Sequence, residues 1–389
     1  MKFEQRFDWR LFFIMIALVV ISCFAIYSAQ QSGQYNVNFM VQQLIWYGLG
    51  SVMIGFMLLL DPESYKKVSL YLYIFGIILL AGLMVAPNEL APLRNGSRSW
   101  YIIPGLGSIQ PSEFMKIFLI LMLSKVVTDH NYRRKTADMK SDVLLLGKMV
   151  LVVIPPLFLI MLQPDLGTAL VFLAILAGTT LVSGVAWRLI IPIYGAASFL
   201  GVSLVWLALQ APQLLDKYLN VQEYQLGRIY AWLQPFKYES SDGYHLIKSM
   251  RAIGSGQMYG KGVGGSEVYL PESHTDFIFS VIGEEYGFIG SCVVIMTFFI
   301  LMYHLIQIAH RANYAFSSYV VVGILSMIGF HVFQNIGMTV QLLPITGIPL
   351  PFISYGGSAL LANLIAIGLV FAVHFHQKTF MFNEGRLDE

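Results

Sequence analysis

Residues 11–30 read LFFIMIALVVISCFAIYSAQ, a run of twenty positions without one charged side chain. As a helix rising 1.5 Å per residue it would be about 30 Å long, the thickness of a bilayer's hydrocarbon core. It has no small-residue cleavage pattern, so it reads as a retained helix rather than a removed signal peptide. Its apolar residues do not alternate every second position, which excludes a barrel strand. Nine further runs of this kind follow, at 42–60, 68–86, 112–128, 147–163, 166–183, 189–210, 277–307, 314–341 and 354–376. Backbone groups cannot stay unpaired in hydrocarbon, so each run is expected to be α-helical.

Composition agrees. Of 389 residues 57% are hydrophobic and only 12% charged, against about 25% charged in a soluble chain; the mean hydropathy is +0.67. A soluble enzyme and a disordered chain are both excluded. A net charge of +2 gives no footprint for nucleic acid. Cys23 and Cys292 lie in apolar runs and read as two buried thiols rather than a disulfide framework.

The expected class is therefore an all-α polytopic membrane protein, one integral membrane domain over 1–389 with ten transmembrane helices. Basic residues set its orientation. With the N-terminus inside, the inner segments collect Lys2, Arg6, Arg10, Lys66, Lys67, Arg133, Arg134, Lys135, Lys140, Lys148, Arg188, Arg311, Lys378 and Arg386, while short outer loops hold only Arg94 and Arg98. Both termini are expected in the cytoplasm and the long segment 211–275, between the seventh and eighth helices, outside. That segment is aromatic (Tyr218, Tyr224, Tyr230, Trp232, Phe236, Tyr238 and Tyr244), and short amphipathic or re-entrant helices on the outer surface are expected there.

Function is sought where polar groups enter the spans. Pro111-Ser112-Glu113-Phe114-Met115-Lys116 opens the fourth span, with Glu113 and Lys116 on one helical face, either as a structural ion pair or as the lining of a polar cavity. Gln163-Pro164-Asp165 breaks one helix and offers Asp165 as cap of the next or as partner of a cation. Pro271-Glu272-Ser273-His274-Thr275-Asp276 leads into the eighth span. There Asp276 meets the outer boundary as a cap favoured by the helix dipole or as a partly desolvated base. Glu284 and Glu285, deeper in the same helix, are expected to pair internally. Pro349-Leu350-Pro351-Phe352-Ile353-Ser354-Tyr355-Gly356-Gly357-Ser358 reads as a re-entrant bend or broken helix. Gly260-Lys261-Gly262-Val263-Gly264-Gly265 fits a dinucleotide fingerprint but follows no buried strand. The six glycines from Gly254 to Gly265 read instead as a flexible loop or a close backbone approach to a ligand. No His/Cys cluster suggests zinc.

These stretches, with Gly96-Ser97-Arg98-Ser99-Trp100, Gln110-Pro111-Ser112-Glu113, Gln163 to Ala169 and Gly243-Tyr244-His245, resemble the SEDS family of bacterial cell-wall proteins, the RodA/FtsW/SpoVE group, and the short tails look most like its RodA branch. Ser99 departs from the pattern, since the family often has a basic residue before the tryptophan; Arg98 or Arg94 then stands in. The resemblance implies a glycosyltransferase of the cytoplasmic membrane that polymerises lipid II into peptidoglycan strands. Its implied partners are a class B penicillin-binding protein and elongation-complex membrane proteins. The family's essential aspartate falls on Asp276, as general base, and the motifs implicate Glu113, Lys116, Asp165, Arg98, Trp100, His274 and Ser354 in substrate binding.

Such a reaction needs cations against the leaving pyrophosphate. Lys116, Arg98, Arg228 and Lys261 are available, with Lys116 favoured by its motif. A divalent cation, Mg²⁺ or Mn²⁺, suits carboxylates beside pyrophosphate; no organic cofactor is expected. A lipid II flippase is the alternative, using Glu113, Lys116, Asp165 and Glu284 as a polar path, and a docking scaffold is the third reading.

Overall fold

The computed structural model describes residues 6–31, 38–93, 97–103, 107–134, 138–210, 223–239 and 243–377. Lys2, Arg94, Gly96, Lys135, Tyr218, Lys378 and Arg386 lie outside the described residues. Among those described there are twelve α-helices: α1 (Trp9–Gln31), α2 (Phe39–Leu58), α3 (Pro62–Val85), α4 (Pro111–Arg133), α5 (Met139–Met161), α6 (Leu166–Val182), α7 (Trp187–Gln210), α8 (Glu223–Leu233), α9 (Gly243–Ser255), α10 (Ile278–Arg311), α11 (Ala315–Thr339) and α12 (Gly357–Phe375).

Each of the ten apolar runs coincides with a helix, and eight of these are long and apolar enough to cross a membrane. The other two are α4 and α6. α6 is apolar but has only 17 residues, about 26 Å of rise. α4 carries Glu113, Lys116, Lys125 and a polar last turn. It runs through the middle of the bundle, packed by α3, α5, α6, α11 and α12, so its polar side chains meet protein rather than lipid. α2 packs along α12, and α11 lies against α6 and α10. By contrast α7 buries only Ile190 and Ala208, leaving an apolar surface suited to acyl chains.

Two features depart from the expected plan. The chain is not purely α. A short antiparallel hairpin, β1 (Tyr101–Ile103) and β2 (Gly107–Ile109), pairs Tyr101 with Ile109 and Ile103 with Gly107. It precedes α4 and is tied to the start of α12, because the Ser358 hydroxyl donates to Ser108 O and accepts from Gln110 N.

The glycine-rich stretch is neither a loose loop nor a ligand cradle. α10 is broken at Gly287 (φ 64°, ψ −158°), and residues 256–262 complete the broken backbone. Phe288 N and Ile289 N donate to Gln257 O and Met258 O, while Lys261 N and Gly262 N donate to Glu284 O and Glu285 O. Gly260 has φ +81°, and a Cβ there would lie 2.1 Å from Glu285 O, so only glycine permits the insertion. Glu284 anchors the same segment. Its carboxylate receives Lys261 Nζ at 2.8 Å, Ser266 Oγ at 2.7 Å and the amides of Glu267 and Val268.

The segment between α7 and α10 forms two short helices, α8 and α9, with a 3₁₀ turn at Pro235–Tyr238 between them. α9 packs on α10, and α8 is clasped to the end of α11. Trp232 Nε1 donates to Gln341 O, and Gln341 Nε2 returns a bond to Trp232 O, each at 3.0 Å.

Candidate functional site

α4 begins with Pro111 in its first turn, where a missing N–H costs nothing. One turn in, Lys116 Nζ lies 2.8 Å from Glu113 Oε2 in an ion pair. Both side chains are buried, Lys116 to 2% exposure, and Lys116 Nζ also lies 3.3 Å from His331 Nε2 on α11.

Asp165 follows the end of α5 and caps α6. Its Oδ1 accepts from Thr168 N at 2.9 Å and its Oδ2 from Thr168 Oγ1 at 2.8 Å, with Gln110 Nε2 at 3.4 Å from Oδ2. The cap and the cavity-lining role coexist, because the same residue forms part of a cavity wall.

Asp276 stands two residues before α10, on a loop braced from three sides. The Ser354 hydroxyl donates to Thr275 O at 2.6 Å and accepts from Leu350 N. Tyr355 N donates to His274 O. Asn335 Nδ2 donates to Asp276 O and to Ile348 O, both at 2.8 Å. The loop thus shares its bracing with the irregular segment 344–356 that its prolines announce. The carboxyl of Asp276 faces Gly347, where a Cβ would lie 3.4 Å from Oδ2. Burial pushes its pKa up to about 7, the Glu272 carboxylate adds to the rise, and Arg228 opposes it.

A cavity of about 210 Å³ lies beside the Asp276 loop. Glu113, Lys116, Asp165 and Trp100 line it, with Arg228, His331 and the strand of backbone from Thr346 to Pro349. Asp276 is not among the lining residues; its carboxyl stands next to Gly347, which is. The cavity therefore brings the cations Lys116 and Arg228 to the flank of a carboxyl whose pKa is pushed up to about 7. That is the equipment for moving a proton while charge develops on a leaving group.

Three expected site residues lie elsewhere. Arg98 does not line the cavity; its guanidinium is spent on Asn88 Oδ1 at 2.6 Å. His274 is packed face to face on Phe39, with ring centroids 4.3 Å apart, and also meets Tyr355. Burial pushes its pKa down, so it is a neutral wedge under the loop. Ser354 braces the Asp276 loop and does not face the cavity. Lys261 is held by Glu267 and Glu284 and does not line it either.

Two residues of the site escape the motif reading, one lining the cavity and one bracing the Asp276 loop. His331 and Asn335 are four apart in the apolar run 314–341, with Gln334 between them. They form a polar stripe on one helix face, flagged by the same rule that marks Glu113. Among the described residues no group of three or more His, Cys, Asp or Glu is placed to hold a metal ion. The carboxylates present fit Mg²⁺ only in the mode that takes one protein oxygen and otherwise phosphate oxygens and water.

The profile of the FtsW/RodA/SpoVE family, described as cell cycle protein, matches residues 5–379. The chain is 35% identical over 376 residues to stage V sporulation protein E of Bacillus subtilis, covering 94% of this chain and 96% of the relative. It is 35% identical over 381 residues to the peptidoglycan glycosyltransferase MrdB of Escherichia coli, covering 96% and 95%. Among solved structures it is similar to a chain of a peptidoglycan synthase complex that coordinates polymerization and crosslinking (TM-score 0.76, 28% identity, 96% and 99% covered). It is also similar to the rod shape determining protein RodA of Thermus thermophilus (TM-score 0.66, 26% identity, 95% and 96% covered).

Proposed function

The chain belongs to the FtsW/RodA/SpoVE family of cell cycle proteins, and from that premise we propose that it is a peptidoglycan glycosyltransferase in which Asp276 is the general base. It is a multi-pass protein of the cytoplasmic membrane. In our reading α1 to α7 and α10 to α12 make ten spans, with both termini inside and 211–275 outside. α4 and α6 are counted because protein on their flanks relieves them of the need to be long or apolar.

The observation that carries the mechanism is the Asp276 carboxyl, raised to about 7, beside a cavity whose wall contains Lys116 and Arg228. Polymerisation joins the 4-hydroxyl of one lipid-linked sugar to the anomeric carbon of another. Asp276 takes the hydroxyl proton as the new C–O bond forms. The bond to the polyprenyl pyrophosphate breaks, and its electron pair leaves with the phosphate, where Lys116 and Arg228 meet the charge. Asp165 and Trp100 complete the wall that holds the sugars. A Mg²⁺ or Mn²⁺ ion, held by the pyrophosphate and one carboxylate, would add positive charge there. The exposed apolar flank of α7 suits the polyprenyl tail.

The similarity to a chain of a synthase complex supports a cross-linking partner, which we take to be a class B penicillin-binding protein. Purified protein given lipid II should make glycan polymer, and Asp276→Asn should make it about a hundredfold or more slowly. Polymer from the variant at the normal rate would overturn the assignment. Translocation of labelled lipid II across reconstituted vesicles without polymer would favour a flippase instead.

A further inference from the structure

His331 lines the same cavity and has no part in the transfer described above. It projects from α11 toward α4 and is 1% exposed. Its Nε2 lies 3.3 Å from Lys116 Nζ, which also pairs with Glu113 at 2.8 Å. An ammonium has three donors and no acceptor, so Nε2 accepts, and the neutral imidazole carries its proton on Nδ1. That Nδ1 has no hydrogen-bond partner among the described residues. A buried donor left unpaired costs free energy that an apolar ring of the same shape would not. Packing alone therefore does not account for a histidine here; what Nε2 does for Lys116 accounts for it.

A lysine head on a four-carbon stem is a rotatable point charge. Glu113 sits on the same helix and cannot by itself set the direction of the head. The ion pair with Glu113 and the hydrogen bond to His331 on the opposing helix hold the head between two helices. We propose that His331 is a positioning residue, which fixes the ammonium of Lys116 so that its remaining donors face the cavity where the pyrophosphate of a polyprenyl-linked sugar binds. The inference rests on the reading of Lys116 as a pyrophosphate cation.

The test uses the full chain purified in detergent. His331→Phe keeps the ring and removes the acceptor, whereas His331→Gln keeps an amide oxygen within reach of Nζ. Two readouts run in parallel: kcat and KM with lipid II, and binding of geranylgeranyl pyrophosphate followed by tryptophan fluorescence, since Trp100 lines the cavity. His331→Phe should lower both kcat/KM and pyrophosphate affinity about tenfold to a hundredfold, the scale of a misplaced binding group. His331→Gln should stay within about threefold of the native chain on both, since it retains the acceptor. Lys116→Met with His331→Phe should be no worse than Lys116→Met alone, because the two act as one unit. His331→Asn, too short to reach Nζ, carries the same expectation as Phe and replaces it if the Phe variant does not fold. Native affinity and rate in the acceptor-free variant would overturn the proposal, as would an equal further loss in the Lys116→Met background. Polymer from the native chain with no dependence on His331 removes this inference alone. His331-dependent pyrophosphate binding without polymer removes the glycosyltransferase reading and leaves this one standing.

Discussion

Replacing Asp276 by Asn should move activity and stability in opposite directions. The carboxyl rises from 3.8 to about 7, chiefly because it is buried. The native state therefore keeps a proton that the unfolded chain releases between those values, and stability falls as pH rises through that window. Above pH 7 the full cost is present. Its upper bound is about 4 kcal/mol; the side chain keeps some exposure, and screening reduces this to about 2 kcal/mol. Asparagine has no such proton to lose. At pH 8 the variant should melt a few degrees above the native protein, and at pH 4.5 the difference should shrink to about a quarter. Activity runs the other way. The base works only when ionised, about a tenth of molecules at pH 6 and nine tenths at pH 8, so the native rate should rise about tenfold between them. The variant should lose about 10² to 10⁴ in rate at pH 8. Polymerisation of labelled lipid II, read on gels, and thermal unfolding in detergent at the two pH values supply the measurements. A native rate flat from pH 5.5 to 8.5, or a variant that melts lower than the native protein at pH 8, would refute the reasoning.

The remaining predictions concern the supports of the site. Lys116→Met strands the Glu113 carboxylate and should destabilise by about 3–5 kcal/mol; reversing the pair, Glu113→Lys with Lys116→Glu, should recover the melting temperature but not the polymer. Asn335→Leu removes both bonds that hold the Asp276 loop to the Thr346–Pro349 strand; a loss of about 1–3 kcal/mol should accompany a fall in kcat larger than any change in KM. Gly260→Ala places a Cβ against Glu285 O at a left-handed backbone position and should cost at least about 2 kcal/mol, seen as a lowered melting temperature. Chelation by EDTA should slow polymerisation, with Mg²⁺ or Mn²⁺ restoring it, while leaving the melting temperature of the lipid-free protein unchanged; an unaltered rate would dismiss the ion.

The helices were legible because a bilayer imposes one length and one polarity on each span, as 11–30 already shows. That Glu113, Lys116 and Asp165 gather at one cavity with Asp276 beside it was legible for the same reason, since charge in or beside apolar sequence needs a partner. Arg98, His274 and Ser354 do not line the cavity; nearness to a motif says which loop a residue sits on, not where its side chain points. Arg98 turns to Asn88, and the other two brace the loop from behind. His331 and Asn335 were overlooked although i, i+4 polarity in an apolar run was visible; neither is charged, and charge drew the eye. The Tyr101–Ile109 hairpin carried a Pro104-Gly105 signal too short to weigh against ten helices. The insertion of residues 256–262 into α10 left no trace in a reading of either segment alone, because glycine spacing announces a close approach without naming what is approached.

That insertion bears on how the protein can be handled. By composition the stretch from Gly254 to Gly265 looks like the safest place for an epitope or a fluorescent label, since exposed glycine-rich loops usually accept added residues. Here those residues supply the hydrogen bonds that a neighbouring helix lacks at Gly287. A tag placed between Gly256 and Val268 would be, in mechanical terms, an insertion into α10 itself, about three turns beyond Asp276.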